Sequence, residues 1–217
     1  MNMNDLTAAI TEAILKQYND DRRPTADDCC TIPVGISNRH VHLSKADLDT
    51  LFGQGFQLTV MKDLSQPGQY ASEQKVTLVG PKGVIEDVRI LGPTRDKTQV
   101  ETSLSDCFKL GIKAPIRDSG DLGASASITL VGPKGSVTIS EGAIIAARHI
   151  HMHTEDAKKF GVKDKDRVCI KVPGPRGLVF NEVLVRVSEK YQLEMHVDLD
   201  EANAAGLRNQ DAVEIVC

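Results

Sequence analysis

Tryptophan is absent from this 217-residue chain, and aromatic residues make up only 4% of it. Platforms that stack single-stranded nucleic acid need rings beside basic residues, so that class of function is disfavoured. The formal net charge of −4 argues against a broad phosphate-backbone footprint, and no nucleic-acid partner is expected. An anionic substrate must therefore meet a local basic site. No apolar run approaches the roughly 18–20 residues that span a bilayer, so no membrane partner is expected either. The first residues carry Asp5 and Glu12 and lack a basic segment followed by an apolar one, so a secretory signal is not expected. The five cysteines, Cys29, Cys30, Cys107, Cys169 and Cys217, form no CxxC pair. An odd count without framework spacing points to a reducing, cytoplasmic compartment.

Apolar residues make up 41% of the chain and charged residues 26%, which suits one compact domain or two small ones sharing a core. Residues 4–18 read as a short amphipathic helix, with Leu6, Ala9, Ile10, Ala13 and Ile14 on one face. A polar linker, 19–25, follows it. A helix docked on the body and a detachable targeting peptide both fit that composition. From about Cys30 the chain turns to short β-like runs broken by glycine and proline. Val76-Thr-Leu-Val-Gly-Pro-Lys-Gly83 recurs as Ile128-Thr-Leu-Val-Gly-Pro-Lys-Gly135, and Val172-Pro-Gly-Pro-Arg-Gly177 is a looser third copy. Each reads as a strand, a tight turn and a returning strand. Three related hairpins predict a mainly β fold built by internal duplication, as two small barrels. A phosphate cradle at Gly-Pro-Lys-Gly is the competing reading of the octet.

A second repeat carries chemistry. Arg39-His40-Val41-His42 recurs as Arg148-His149-Ile150-His151. In a strand, residues i and i+2 point to one face, so each His-x-His sets two imidazoles at chelating distance. On a helix the same spacing would turn them about 200° apart. The β-branched Val41 and Ile150 favour strands. Helix starts are expected after both copies, with Ser44 and Asp47 as a capping box and Thr154 ahead of Glu155 and Asp156. Aligning the copies sets His153 opposite Ser44, at a helix start and away from any metal. The remaining histidine, His196, lies in Leu193-Glu-Met-His-Val-Asp-Leu199, opposite the apolar face of Leu193, Met195, Val197 and Leu199. A lone histidine of this kind is usually structural; the two His-x-His pairs are what make it a candidate ligand. No cysteine adjoins either pair, whereas closed structural zinc sites commonly use cysteine. The pattern predicts two open, catalytic metal sites, with zinc as the default and another divalent metal compatible with the ligand types.

These segments, with Gly35-Ile-Ser-Asn-Arg-His-Val-His-Leu-Ser44, Leu91-Gly-Pro-Thr-Arg95, Thr98-Gln-Val-Glu101 and Arg117-Asp-Ser-Gly-Asp121, resemble the phosphate propanoyltransferases, the PduL-type phosphotransacylases of bacterial microcompartments. The resemblance covers the body from about residue 30 onward. It implies two β-barrels capped by short helices, one from 29–38 plus 147–217 and one from 39–146, with 1–28 as a targeting helix and linker. It implies one zinc ion on His40, His42 and Glu101 and another on His149, His151 and His196, with Arg95 on phosphate. Ser37, Lys62, Arg89 and Asn203 match family positions near coenzyme A. The implied activity is reversible transfer of a propanoyl or acetyl group from coenzyme A to inorganic phosphate. Microcompartment shell or cargo proteins are the implied partners of the N-terminal helix, and a homo-oligomer in the bacterial cytoplasm is the implied setting. A dinuclear hydrolase of thioesters or phosphoesters and a non-enzymatic metal-binding barrel are the alternatives. No nucleophilic triad is visible, so direct attack of phosphate on the thioester carbonyl is the simplest chemistry.

Overall fold

The computed structural model describes residues 31–217. The helix expected over residues 4–18, its linker, Cys29 and Cys30 lie outside the described residues.

Two closed six-stranded barrels make up the body. The first joins β1 (Ile32–Ser37), β13 (Glu194–Asp198), β10 (His149–Met152), β12 (Leu178–Val187), β11 (Arg167–Val172) and β14 (Ala212–Ile215), which returns to β1. The second joins β4 (Tyr70–Val79), β5 (Val84–Gly92), β2 (His40–His42), β6 (Gln99–Glu101), β9 (Ser136–Ala146) and β8 (Ala126–Val131), which returns to β4. Short strands β3 (Val60–Asp63) and β7 (Ile116–Arg117) hang on β4 and β9. Alternating β-branched and aliphatic residues turn one face of each strand inward. Ile32, Ile150, Ile170 and Met195 fill the first core, and Leu43, Leu78, Ile90 and Leu130 fill the second. Closure removes the exposed edges that an open antiparallel sheet would leave. Among the described residues no helix is long and apolar enough to cross a membrane.

The duplication extends to the register. His40 pairs with Glu101 across antiparallel β2 and β6, and His149 pairs with His196 across antiparallel β10 and β13. Glu101 lies on β6 beside parallel β9; His196 lies on β13 beside parallel β1. The chain crosses between the barrels at both equivalent places. β1 of the first barrel runs through Asn38 and Arg39 into β2 of the second, and β9 of the second runs through Ala147 and Arg148 into β10 of the first.

Four short helices follow the histidine and third-ligand strands: α1 (Lys45–Phe52), α2 (Leu104–Leu110), α3 (Thr154–Phe160) and α4 (Leu199–Ala205). Ser44 caps α1 by accepting from the Asp47 amide, but the box is incomplete. The Ser44 amide donates to Thr98 Oγ1 at 2.9 Å, and the Asp47 carboxylate is taken by the hydroxyls of Ser44 and Thr98. His153 caps α3 in the position Ser44 holds on α1, and the helix starts at Thr154 as expected. Complete capping boxes form instead at Ser103 with Asp106 on α2 and at Asp198 with Glu201 on α4.

The repeated octets are hairpin turns that also cap helices. Gly80 and Gly132 donate to Gly83 and Gly135 at 2.9 Å, closing the β4–β5 and β8–β9 turns. The Lys82 and Lys134 amides then donate at 3.0 Å to the terminal carbonyls of Leu110 in α2 and Leu51 in α1. In the third copy Arg176 Nε reaches the Ala204 carbonyl of α4 at 3.1 Å. A phosphate cradle would need those backbone amides free, so the octet is a structural device. One feature escaped the cysteine spacing: Cys169 of β11 and Cys217 form a disulfide, because the chain beyond β14 runs antiparallel to β11 and the Cys169 amide donates to the Cys217 carbonyl at 2.9 Å.

Candidate metal and phosphate site

Each His-x-His strand and its antiparallel neighbour converge on three donors. His40, His42 and Glu101 form one group and His149, His151 and His196 the other, with the donor atoms in each group within 4.8 Å of one another. His40 Nδ1 bonds the Asn38 carbonyl at 2.8 Å, and His149 Nδ1 bonds the Ala147 carbonyl at 2.9 Å. Those two carbonyls belong to the crossover segments, so the crossovers set the tautomer and leave each Nε2 lone pair facing inward. His40 Nε2 lies 3.4 Å from Glu101 Oε2.

Three further ring nitrogens are buried without a hydrogen-bond partner: His42 Nδ1, His151 Nδ1 and His196 Nε2. Such atoms are costly unless something else satisfies them. Burial, with His40 and Arg95 nearby, lowers His42 to about 2. Burial, with His196 and Arg186 nearby, lowers His149 and His151 to about 3. His42, His149 and His151 are therefore neutral lone-pair donors at neutral pH. Burial would push Glu101 up, but His40, a Ser119 hydrogen bond, His149 and Arg95 outweigh it and hold the carboxyl below the ordinary glutamate range. Orphaned nitrogens and an ionised carboxylate fit a divalent cation in each group.

Neighbours fix the donors. Ser119 donates to Glu101 Oε1 at 3.0 Å and Gln99 Nε2 to the same oxygen at 2.5 Å, which leaves Oε2 toward His40. Ser119 stands in the Arg117–Asp121 segment. Arg39 Nε grips both carboxylate oxygens of Asp106 at 2.8 and 2.9 Å, and Arg148 Nη1 grips Glu201 Oε1 at 2.7 Å. The arginine preceding each histidine pair thus clasps the helix that follows the third donor.

A cleft is lined by Ser37–His40, Glu101, Thr102, Ala146, Ala147, His149 and His196–Asp198, from both barrels and both crossovers. Both groups open on it. Arg95 is anchored by its amide to the Leu43 carbonyl at 2.9 Å, and its Nη1 reaches Ser119 Oγ at 3.3 Å. Burial lowers it from the usual arginine range, Glu101 opposes that, and Arg186 adds to it. Arg186 is the functional candidate that the sequence did not single out. It lies on β12 opposite His151, and its charge acts on Arg95, His149 and His151. Its only sequence signal is an arginine inside the apolar run Val183-Leu-Val-Arg-Val187. Lys62 is exposed on β3, Asn203 is exposed on α4, and Arg89 spends Nη1 on the Ser72 and Glu73 carbonyls. None of these three lines the cleft, whereas Ser37 does.

Fold and site together define a duplicated double β-barrel enzyme with two three-donor centres facing one cleft and Arg95 beside the first. A family model described as phosphate propanoyltransferase matches residues 33–208. The phosphate propanoyltransferase of Thermotoga maritima is 58% identical over 186 residues, 85% of this chain and 89% of the relative. That of Rhodobacter capsulatus is 54% identical, covering 90% and 91%, and that of Enterococcus faecalis is 45% identical, covering 95% of each. The chain belongs to the phosphate propanoyltransferase family and is a phosphate acyltransferase.

Proposed function

We propose that this enzyme exchanges a short acyl group, propanoyl or acetyl, between coenzyme A and inorganic phosphate, with two zinc ions held by His40, His42 and Glu101 and by His149, His151 and His196. The observation that carries the reading is that both three-donor groups reach one cleft, with the Arg95 guanidinium acting on Glu101 and His42 of the first. Zinc, when bound, supplies Lewis acidity to oxygen and sulfur. The residues of the chain do the positioning. Arg95, with Arg186 beside it, offers fork geometry to the phosphate oxygens. Held there, phosphate attacks the thioester carbonyl; a C–O bond forms, the C–S bond breaks, and the sulfur leaves with the electron pair. The proton of the attacking phosphate ends on the thiol of coenzyme A. Holding both substrates removes much of the entropic barrier. Thioester and acyl phosphate are both activated, so the transfer runs in either direction.

Ser37 at the cleft rim, with Lys62, Arg89 and Asn203 further out, is assigned to coenzyme A. Domain boundaries at 38/39 and 146/147 follow the two crossovers. A homo-oligomer inside a microcompartment of the bacterial cytoplasm is the proposed setting, with residues 1–28 engaging shell or cargo proteins. Deleting 1–28 is expected to preserve specific activity and abolish co-purification with compartments; a truncated enzyme that still enters them ends the targeting role. The test of the activity is thiol release from propanoyl- or acetyl-coenzyme A with and without phosphate. Release that depends on phosphate is expected. Equal release in its absence means hydrolysis, and no release means a binding barrel.

A further inference from the structure

Beside the His149 centre sits a buried carboxylate that the transfer chemistry does not use. Glu194 is only 5% exposed, although it lies two residues before His196 on β13. Its Oε2 is 3.1 Å from His196 Nε2 but off the line of an N–H bond, so that nitrogen keeps no hydrogen-bond partner. Ser65, from the β3–β4 loop of the other barrel, donates its hydroxyl to the same oxygen. Gln66 of that loop is tied to the neighbouring Gln192 backbone, donating to its carbonyl at 3.0 Å.

Room for the carboxylate is built into the opposite strand. Gly35 on β1 is the register partner of His196, and a Cβ there would stand 2.7 Å from Glu194 Cδ. The glycine of the Gly35-Ile-Ser-Asn-Arg-His segment is thus required by the carboxylate, not by its own backbone. A carboxylate buried against a cluster of imidazole donors is costly unless something satisfies it.

The duplication points to a cation. On β6 the residues opposite His42 and His40 are Gln99 and Glu101; on β13 those opposite His151 and His149 are Glu194 and His196. Each strand carries one carboxylate and one nitrogen-bearing side chain, an amide or an imidazole, in the same two register positions, with the order exchanged. In the first centre the carboxylate is a donor and the amide supports it; in the second the imidazole is the donor. Glu194 is not among the three donor atoms that converge within 4.8 Å.

We propose that Glu194 is the charge partner of the second metal centre, the counterpart of Glu101, held by Ser65 against His196 so that each centre holds one carboxylate per divalent cation. This rests on the two-metal reading above.

The test loads the full-length enzyme with zinc and compares wild type with Glu194→Gln. After dialysis the wild type should retain two ions per chain. The variant should fall toward one, with the lost ion extracted by a competing chelator about 10- to 100-fold more readily. In a His42→Ala background, which cripples the first centre, Glu194→Gln should remove the remaining ion. The rise in melting temperature on zinc loading should shrink. Metal-free Glu194→Gln loses only the Ser65 contact and should melt a little below metal-free wild type, while the zinc-loaded variant should fall much further below loaded wild type. Should Glu194→Gln fail to fold, Ser65→Ala keeps the carboxylate and loses its clamp. It should loosen the same ion, by less. A variant that keeps both ions as tightly as wild type, or one that melts lower in both forms alike, overturns the role of Glu194 alone. A wild type that retains no ion overturns the two-metal reading as well.

Discussion

His42 and His151 each occupy the second position of a His-x-His strand with a buried, unpartnered Nδ1, while His153 spends its Nδ1 on the Glu155 amide at 3.2 Å as a helix cap. Replacing His42 or His151 by alanine should therefore abolish activity and release one ion. His153→Ala should cost only the cap, about 1 kcal/mol of stability, and leave turnover near wild type. Steady-state rates and metal content on the three variants check this; an inactive His153→Ala contradicts the alignment of His153 with Ser44. Arg95→Lys keeps the charge and loses the bidentate fork. The expected loss is about 1–3 kcal/mol of phosphate interaction, read as a raised phosphate KM, with acyl-coenzyme A binding unchanged. An unchanged phosphate dependence removes Arg95 from that role. The histidines were legible because the two-residue period of a strand leaves a mark in the sequence. Ser119 and Arg186 were not, since each reaches the centre through a loop or sheet pairing with a partner elsewhere along the chain; Gln99 keeps the two-residue spacing from Glu101, but an amide carries no ligand signature.

Among the elements, the hairpins and the strands carrying histidine were readable from β-branched runs and Gly-Pro turns. What those turns rest on was not, because a cap donated to a distant helix has no local signature. The Gly-Pro-Lys-Gly octet illustrates the difference: its turn is local, and its reason for two glycines is not. A Cβ on Gly132 would stand 2.6 Å from the Leu51 carbonyl, and one on Gly135 would stand 2.8 Å from that of Thr50. Gly132→Ala must then push the turn off the end of α1, which also begins at the strand of the first histidine pair. Thermal unfolding should show a loss of about 1–3 kcal/mol, as for overpacking elsewhere. Phosphate binding should be untouched; a selective loss of phosphate affinity at normal stability would revive the cradle. The capping boxes show a similar shift. Ser44 and Asp47 promised one, but Thr98 competes for both groups, and the complete boxes formed at Ser103 and Asp198, where an arginine clasps the acid.

Across the whole molecule, three histidines buried as neutral bases set an acid limit. His42, His149 and His151 hold values of about 2 to 3 in the fold against about 6.5 in an unfolded chain. Between those values the unfolded state binds more protons, so stability is full above pH 6.5 and falls as the pH drops toward 3. Each buried histidine contributes about 1 kcal/mol per pH unit to that fall in the metal-free protein. Denaturant unfolding of metal-free enzyme from pH 8 to pH 5 should show it; a flat profile would mean that the rings are solvated. The reciprocal crossovers place both centres at the joint between the barrels. β1 begins at Ile32, paired with Val213, and ends at Ser37 on the rim of the cleft. At about 3.3 Å per residue, the start of that six-residue strand stands some 16 Å behind the rim. The described chain thus starts well away from the donor groups and carries its first strand toward them.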